Sequence, residues 1–217
     1  MTPETPTPAT PPTPATGTTG TTGDRSGLRE RKKARTRQAI RRAAYRLFAE
    51  NGYEATRVEE IAAAAEVSPS TVFRYFATKE DIVLTDEQDP LLAAGLRSRP
   101  AGEPVLESLR HAVLDTLDHL HATDRTELVQ RTRLVREVPV IRGRTAEQAA
   151  RDADMLAAVL AERAGHPADS LPVRVICVAV MAAVDETLWQ WVSGGQQEDL
   201  HDLVDRTMDL LARGMTL

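Results

Sequence analysis

Side chains that form directional hydrogen bonds are concentrated in one short stretch of the chain, Ser68 to Tyr75 (Ser-Pro-Ser-Thr-Val-Phe-Arg-Tyr). Hydroxyl and guanidinium groups of this kind bind phosphate oxygens and the edges of bases in the major groove of DNA, and a threonine methyl can contact thymine. The residue types of this stretch therefore favour binding to a polar surface over catalysis.

Two short helices separated by a tight turn are needed to present this stretch. The first has one apolar face at helical spacing, formed by Val58, Ile61, Ala62 and Ala65. Thr56 and Glu59 predict a capping box at its start. Ser68 predicts the N-cap of the second helix, with Pro69 in its first position.

The second helix is expected to turn Val72 and Phe76 inward. Two such helices with a short turn are the layout of a helix-turn-helix, whose second helix enters the major groove. A plain helical hairpin in an all-α protein has the same spacing, so spacing alone leaves both interpretations open.

The order of residues from Ala34 to Leu84 resembles the DNA-binding domain of the tetracycline-repressor (TetR) family of bacterial regulators. The resemblance rests on Arg37, Ile40, Ala43, Ala44, Leu47, Phe48, Gly52, Tyr53, Thr56, Ile61, Ala62, Ala65, Val67, Ser68, Thr71, Arg74, Tyr75, Phe76, Lys79 and Glu80. Two positions depart from the family pattern. Glu66 stands in the turn where Gly is usual, which costs about 1 kcal/mol in a left-handed conformation, and Phe73 replaces the usual Tyr.

The resemblance implies an all-α protein with an N-terminal three-helix helix-turn-helix domain and a C-terminal helical domain for ligand binding and dimerisation. It also implies that the hydroxyls of Thr36 and Thr56 bind phosphate. Lys79, in the helix that joins the two domains, can contact a phosphate or pair with Glu80 or Asp81. The predicted DNA contacts are Arg35, Thr36, Thr56, Ser68, Ser70, Thr71, Phe73, Arg74, Tyr75 and Lys79.

The distribution of charge supports a nucleic-acid partner for the first part only. Residues 25–82 hold 13 Lys and Arg against 8 Asp and Glu, whereas residues 83–217 hold 14 against 22. A basic cluster from Arg29 to Arg37 opens the first helix, and we interpret it as an arm along the DNA backbone, although a solvated helix face is the alternative.

Composition predicts a Thr/Pro-rich disordered tail (1–27), and the resemblance implies a DNA-binding domain (28–84) followed by a helical effector-binding and dimerisation domain (85–217). In the third region we predict helices over 105–121, 124–137, 141–164, 170–192 and 197–213. The fourth of these is apolar on nearly every side, which predicts either a four-helix dimer interface with the last helix or the central helix of a monomer.

Polar residues interrupt that apolar helix and suggest a small-molecule pocket formed by Arg174, Met181, Asp185 and Trp189. The alternative is that Arg174 and Asp185 reach a salt bridge or a helix end. His111, His119 and His121 lack the spacing of metal ligands, so no metal, cofactor or catalytic site is predicted. The single cysteine, Cys177, and the absence of an apolar leader or membrane span favour a cytoplasmic protein.

The sequence therefore predicts a homodimeric, ligand-responsive repressor that binds a palindromic double-stranded DNA operator and is not an enzyme. A non-regulatory module that binds nucleic acid or protein through its basic arm is the alternative function.

Overall fold

The computed structural model describes residues 22–84 and 89–216, without the side chains of residues 22–27, 30, 89–90 and 120–124. Its elements are helices: α1 (Thr22–Asn51), α2 (Val58–Ala64), α3 (Pro69–Tyr75), α4 (Lys79–Leu84), α5 (Asp89–Ser98), α6 (Val105–Glu137), α7 (Pro139–Ala164), α8 (Leu171–Ser193) and α9 (Leu200–Ala212). No strand occurs in the described ranges. The predicted all-α fold is confirmed.

The chain divides into two compact units, Met1–Thr36 and Arg37–Leu217. The described part of the first unit is the beginning of α1, where the Thr36 hydroxyl donates to the Lys32 carbonyl oxygen at 3.0 Å. The predicted tail lies outside the described residues up to position 21. The helix starts at Thr22 and so includes residues 22–27, which the sequence analysis placed in the tail.

In the second unit, a small apolar core holds α1 to α4 together in what we call the head, residues 37–84. Ile40 and Ala44 of α1, Ile61 of α2, Phe76 and Ile82 are almost fully buried, at 0 or 1% exposure. Apolar side chains at helical spacing on short helices can reach one another only if the helices cross closely, which the small alanines of α2 permit. The helix-turn-helix is therefore a packed unit with α3 on its outside.

The helix ends in the head differ from the sequence prediction at the start of α2 and agree with it in the turn before α3. Arg57, not Thr56, is the N-cap of α2, and its backbone N–H donates to the Glu60 carboxylate at 2.8 Å. Glu66 takes the left-handed conformation expected of the turn, with φ of 56°. α4 spans Lys79–Leu84, residues 85–88 lie outside the described ranges, and Pro90 is the second residue of α5, where a proline is tolerated.

In the body, residues 89–216, the helices pack around a second core. α6 is one helix of 33 residues, so the prediction of two helices over 105–121 and 124–137 is wrong. Neither Gly nor Pro, the residues least favourable inside a helix, separates those segments. A single residue, Val138, joins α6 to α7, which begins at Pro139 and not at Ile141.

The head and the body share apolar contacts at the junction of α6 and α7. Ile141 is fully buried in the core of the head, and Leu134, Val135 and Val138 pack against the same cluster. A displacement of the start of α7 must therefore be felt by the head. Within the described ranges, no helix combines the length and the apolar character needed to cross a bilayer.

Candidate DNA interface and effector cavity

The orientation of α3 is fixed by its cap and by two buried side chains. The Ser68 hydroxyl accepts a hydrogen bond from the Thr71 backbone N–H at 3.2 Å, and Pro69 occupies the first helical position, both as predicted. Val72 and Phe76 are each 1% exposed. Successive residues of a helix are turned by about 100° around its axis. Because the side of α3 that carries Val72 lies against the core, the opposite side of the helix points outward.

The outward face of α3 carries most of the predicted contacts with DNA. The hydroxyls of Ser68 and Ser70 lie 2.9 Å apart, and both residues are exposed. Phe73 is 51% exposed. The Arg74 guanidinium is also exposed and lies 5.4 Å from the centre of the Tyr75 ring, which holds the cation over an aromatic face.

Thr71 and Tyr75 are half-buried at the edges of this face, and the Thr71 hydroxyl lies 2.9 Å from that of Ser68. The structure therefore brings together the six predicted residues of the segment from Ser68 to Tyr75. Hydroxyl groups, one guanidinium and one exposed ring form a convex surface of the width of a single helix. Such a surface can hydrogen-bond to base edges and phosphates in a groove.

Thr56 does not lie on that surface. It is 1% exposed, and its hydroxyl donates to the carbonyl oxygens of Gly52 at 2.8 Å and Leu47 at 3.2 Å. The predicted capping role of Thr56 is wrong because its hydroxyl satisfies carbonyls at the end of α1 instead. In this structure the side chain stabilises the link between α1 and α2.

The Lys79 ammonium group is likewise occupied inside the head. It donates to the backbone carbonyl oxygens of Tyr53 at 2.7 Å and Thr56 at 3.1 Å, and it lies 4.1 Å from the centre of the Tyr53 ring. Neither the expected phosphate contact nor the alternative pairing with Glu80 or Asp81 describes this arrangement. Lys79 fastens the loop after α1 to the start of α4.

Tyr53 completes this arrangement from the other side. Its hydroxyl donates to the Glu80 carboxylate at 2.7 Å. Burial and this hydrogen bond raise the pKa of the Tyr53 hydroxyl far above its ordinary value, so the phenol stays protonated. Burial acts to raise the pKa of Glu80, but the hydrogen bonds from Tyr53, Thr78 and the backbone, together with the charge of Arg144, outweigh burial, and the pKa is lowered. The pair stays a phenol that donates to a carboxylate.

Two predicted contacts, Arg35 and Thr36, belong to the first unit of the chain. Arg35 is exposed, whereas Thr36 is half-buried and donates to the carbonyl of Lys32. The same exposure is found for Arg31, Lys32 and Lys33. The described side chains of this stretch therefore present cations to solvent, as either interpretation of the basic cluster requires.

Residues of α4 to α8 line an open cavity of about 550 Å³, a volume in the ordinary range of small-molecule sites. Its apolar wall includes Leu84, Leu92, Val113, Leu117, Val135 and Leu188. Two of the four residues predicted for an effector pocket, Met181 and Asp185, line this cavity.

The other two predicted pocket residues, Arg174 and Trp189, are not part of the cavity wall. The Arg174 guanidinium donates to the Asp154 carboxylate at 2.6 Å on the surface, so the salt-bridge alternative is correct for this residue. The Trp189 ring is half-buried and lies 5.8 Å from the guanidinium of Arg136. Both residues share α8 with the cavity residues but face other neighbours.

Three arginines on α6 and α7 line the cavity, and the sequence analysis missed them: Arg131, Arg136 and Arg142. Arg136 donates to Glu186 at 2.7 Å, and Arg131 donates to the carbonyl oxygen of Val83 at 3.2 Å. Arg142 is exposed, and no carboxylate of the described residues pairs with it. The only signal in the sequence was their spacing of five and six residues on either side of Val138.

The outer face of α8 leaves large apolar side chains uncovered. Leu171, Val175 and Val178 are 75, 54 and 51% exposed. Their spacing of four and three residues places them in one line along the helix. On α9, Leu210 is also exposed. Both of the predicted interface helices thus carry apolar side chains in contact with solvent.

Among the described residues, no group of three or more His, Cys, Asp or Glu side chains could hold a metal ion. The histidine His111 contacts the Glu107 carbonyl and lies 3.4 Å from Glu103, and His119 contacts the Asp115 carbonyl. The side chain of His121 lies outside the described residues. Cys177 is fully buried, and burial raises the pKa of its thiol to about 11.

Comparison with known proteins identifies the family. The family description "Bacterial regulatory proteins, tetR family" matches residues 40–85, and "MftR C-terminal domain" of the TetR type matches residues 103–216. The chain is 39% identical over 168 residues to the HTH-type transcriptional regulator TcmR of Streptomyces glaucescens, and the match covers 73% of each chain.

Solved structures agree with this assignment. FadR from Bacillus subtilis in complex with stearoyl-CoA has a TM-score of 0.60 at 26% identity, covering 82% of this chain and 99% of that one. FadR from Thermus thermophilus, a TetR-family repressor in complex with lauroyl-CoA, has a TM-score of 0.54 at 28% identity, covering 83% and 95%. The chain belongs to the TetR family of DNA-binding transcriptional regulators.

Proposed function

We propose that this regulator binds a palindromic operator as a homodimer and that each subunit inserts α3 into one half-site. The observation that carries the proposal is the outward face of α3, which is held in place by the buried side chains of Val72 and Phe76. Two symmetry-related readers require half-sites about 34 Å apart along the DNA, or a multiple of that distance.

Within this interface we assign base and phosphate contacts to Ser68, Ser70, Thr71, Arg74 and Tyr75. Arg35 and Thr36, with the basic residues before them, contribute affinity that is independent of sequence and falls with salt. Thr56 and Lys79 support the head from within, since their polar groups are already taken. Because its target is bacterial DNA, we expect the protein to act in the cytoplasm, and we assign no catalytic step to it.

For the dimer we propose the outer faces of α8 and α9. The line of exposed apolar residues, Leu171, Val175 and Val178, supports this arrangement, since burial of such a line against its own copy removes apolar surface from water. An interface with two-fold symmetry uses the same patch on both subunits. The spacing between the two heads is then fixed by the bodies.

As the effector we propose an amphipathic molecule with an apolar chain and an anionic head group. The apolar wall of the cavity suits the chain, and Arg142 suits the anion because it lines the cavity, is exposed, and forms no ion pair with a described carboxylate. The relatives that hold stearoyl-CoA and lauroyl-CoA support an acyl chain with a charged end.

Release of DNA would follow from residues that the cavity shares with the head. Leu84 lines the cavity and also belongs to the core of the head, and Ile141 lies one residue before Arg142 in that same core. An effector that displaces α7 would therefore shift the head and change the separation of the two readers. This amounts to a coupling free energy between two sites, typically 1–3 kcal/mol.

Operator binding is tested by selecting duplexes from a random DNA library with the full-length protein. We expect a palindrome that binds about a thousandfold more tightly than random DNA. Arg74→Ala and Tyr75→Phe should weaken this binding while leaving the melting temperature unchanged, and Arg97→Ala, an exposed arginine on α5, should leave both unchanged. Enrichment of no sequence, with salt-sensitive binding to all DNA, would favour the alternative of a non-regulatory module.

The effector class is tested with decanoate, decanoyl-CoA and the uncharged 1-decanol. We expect the two anions, decanoate and decanoyl-CoA, to raise the melting temperature of the protein and to weaken its binding to the operator more than 1-decanol does. Arg142→Gln should remove about tenfold or more of that preference, because a hydrogen bond to a charged group contributes about 1.5–3 kcal/mol. Equal responses to acid and alcohol in the wild-type protein would refute the assignment to an anion.

A further inference from the structure

Phe73 is unusual among the described residues of the head, 37–84, because it alone of the large apolar side chains there is exposed, at 51%. Its exposure is imposed by packing. Val72 and Phe76, one residue before it and three after it, are both 1% exposed. Phe73 is turned by about 100° from Val72 around the axis of α3, so with Val72 in the core the ring of Phe73 lies on the outward side.

The ring also lies on the face that we assign to DNA. Ser70 precedes it by three residues and Arg74 follows it directly, and Ser70 and Arg74 are four apart. Residues three and four apart are neighbours on a helix surface. The phenyl ring is therefore flanked by a hydroxyl and a guanidinium that can reach base edges.

The chemistry of the ring restricts what it can contact in a major groove. A phenyl group donates no hydrogen bond, and pressing it against a phosphate or a base acceptor would remove water from that group without replacement. Thymine is the exception among the bases, since its C5 methyl group is an apolar feature of the major-groove edge.

Building on the proposed function, we propose that Phe73 contacts the C5 methyl group of one thymine in each operator half-site and makes the protein select thymine at that position. This contact distinguishes thymine from the other bases at that position, whereas the neighbouring hydroxyl groups supply hydrogen bonds.

The experiment replaces each thymine of the selected operator in turn with deoxyuridine, which differs only by lacking the methyl group. At one symmetric pair of positions, the wild-type protein should bind roughly fourfold more weakly for each substituted half-site, or roughly fifteenfold for both. Phe73→Ala should bind the thymine operator more weakly and should show no further loss with deoxyuridine at those positions.

Two matched variants make the result specific. Phe73→Leu keeps an apolar side chain and should retain part of the preference for thymine. Thr71→Ser removes the other methyl group near the reading face and should leave the deoxyuridine effect intact. Because Phe73 is exposed, Phe73→Ala should melt at the wild-type temperature, which separates a lost contact from lost folding.

The possible outcomes are distinguishable. If deoxyuridine has no effect at any position, or if Phe73→Ala shows the same deoxyuridine effect as the wild type, the thymine contact is refuted while operator binding stands. If the wild-type protein enriches no operator at all, both the proposed function and this contact are refuted. Loss of the deoxyuridine effect in Phe73→Ala alone, with Thr71→Ser unaffected, supports the contact.

Discussion

Arg144 of α7 donates a hydrogen bond to Asp81 of α4, with 2.9 Å between the guanidinium nitrogen and the carboxylate oxygen. A second nitrogen of the same guanidinium donates to the Thr78 hydroxyl at 2.7 Å. Thr78 and Asp81 also cap the start of α4, since each backbone N–H donates to the side chain of the other. Arg144 therefore joins α7, which lines part of the cavity, to the N-terminal cap of α4 in the head.

We expect Arg144→Ala to weaken the communication between effector and operator. The ion pair is partly exposed, so its loss should change stability little. Its position two residues after the cavity residue Arg142 suggests that it transmits movement of α7. The effector-induced change in operator affinity should shrink by about 0.5–2 kcal/mol, measured as the ratio of DNA dissociation constants with and without effector. Arg97→Ala is the control, and an unchanged ratio in Arg144→Ala would exclude this route.

Thr56→Val should destabilise the head. The substitution keeps the shape of the buried side chain but removes the hydroxyl that donates to Gly52 and Leu47. Two partly buried carbonyls then lose a donor, and the buried site of the hydroxyl loses its hydrogen bonds, at a cost of about 1 kcal/mol, to be measured by urea unfolding. Thr56→Ser keeps the hydroxyl and should recover most of the loss. If Thr56→Val were as stable as the wild type but bound DNA poorly, a direct phosphate contact would be the better interpretation.

Val175→Arg should separate the proposed dimer. A charged group placed in the middle of the exposed line on α8 would be buried without a partner if the subunits still associated. We expect light scattering to show a folded monomer and the affinity for a two-half-site operator to fall by at least about a hundredfold, because the second half-site is no longer held by the same assembly. Val140→Arg, at a valine with 45% exposure on α7, is the matched control. A dimer that survives Val175→Arg would place the interface elsewhere.

The loop between α5 and α6 should lose stability in acid through Glu103. Hydrogen bonds from Arg99 and Ser108 lower the pKa of this carboxyl to about 2 from its ordinary value of 4.5. Because the folded protein holds the carboxylate more tightly than the unfolded chain, the stabilisation is complete above about pH 4.5 and is lost as the pH falls through about 2. The difference in melting temperature between the wild type and Glu103→Gln should therefore be present at pH 7 and shrink in that interval. A difference that stays constant with pH would show that charge is not its source.

The sequence by itself determined the helix-turn-helix, because its signals are local. Ser68 and Pro69 mark the start of α3, and the inward positions of Val72 and Phe76 follow from the helical period. These expectations are confirmed by the structure. The all-α fold and the family follow from the same ordered pattern. The roles of the individual DNA contacts stay predictions.

Tertiary structure alone decided which polar groups remain available. Thr56 and Lys79 look like surface groups in the sequence, but partners up to 26 positions away in the chain take up their hydrogen bonds. The same holds for the cavity, where Asp185 lies in the wall and Arg174 of the same helix does not. A helical period states which residues share one face of a helix, whereas the neighbour of that face depends on how the other helices pack. For this reason the sequence did not indicate that α7 places Arg142 in the cavity wall and Arg144 in contact with the start of α4.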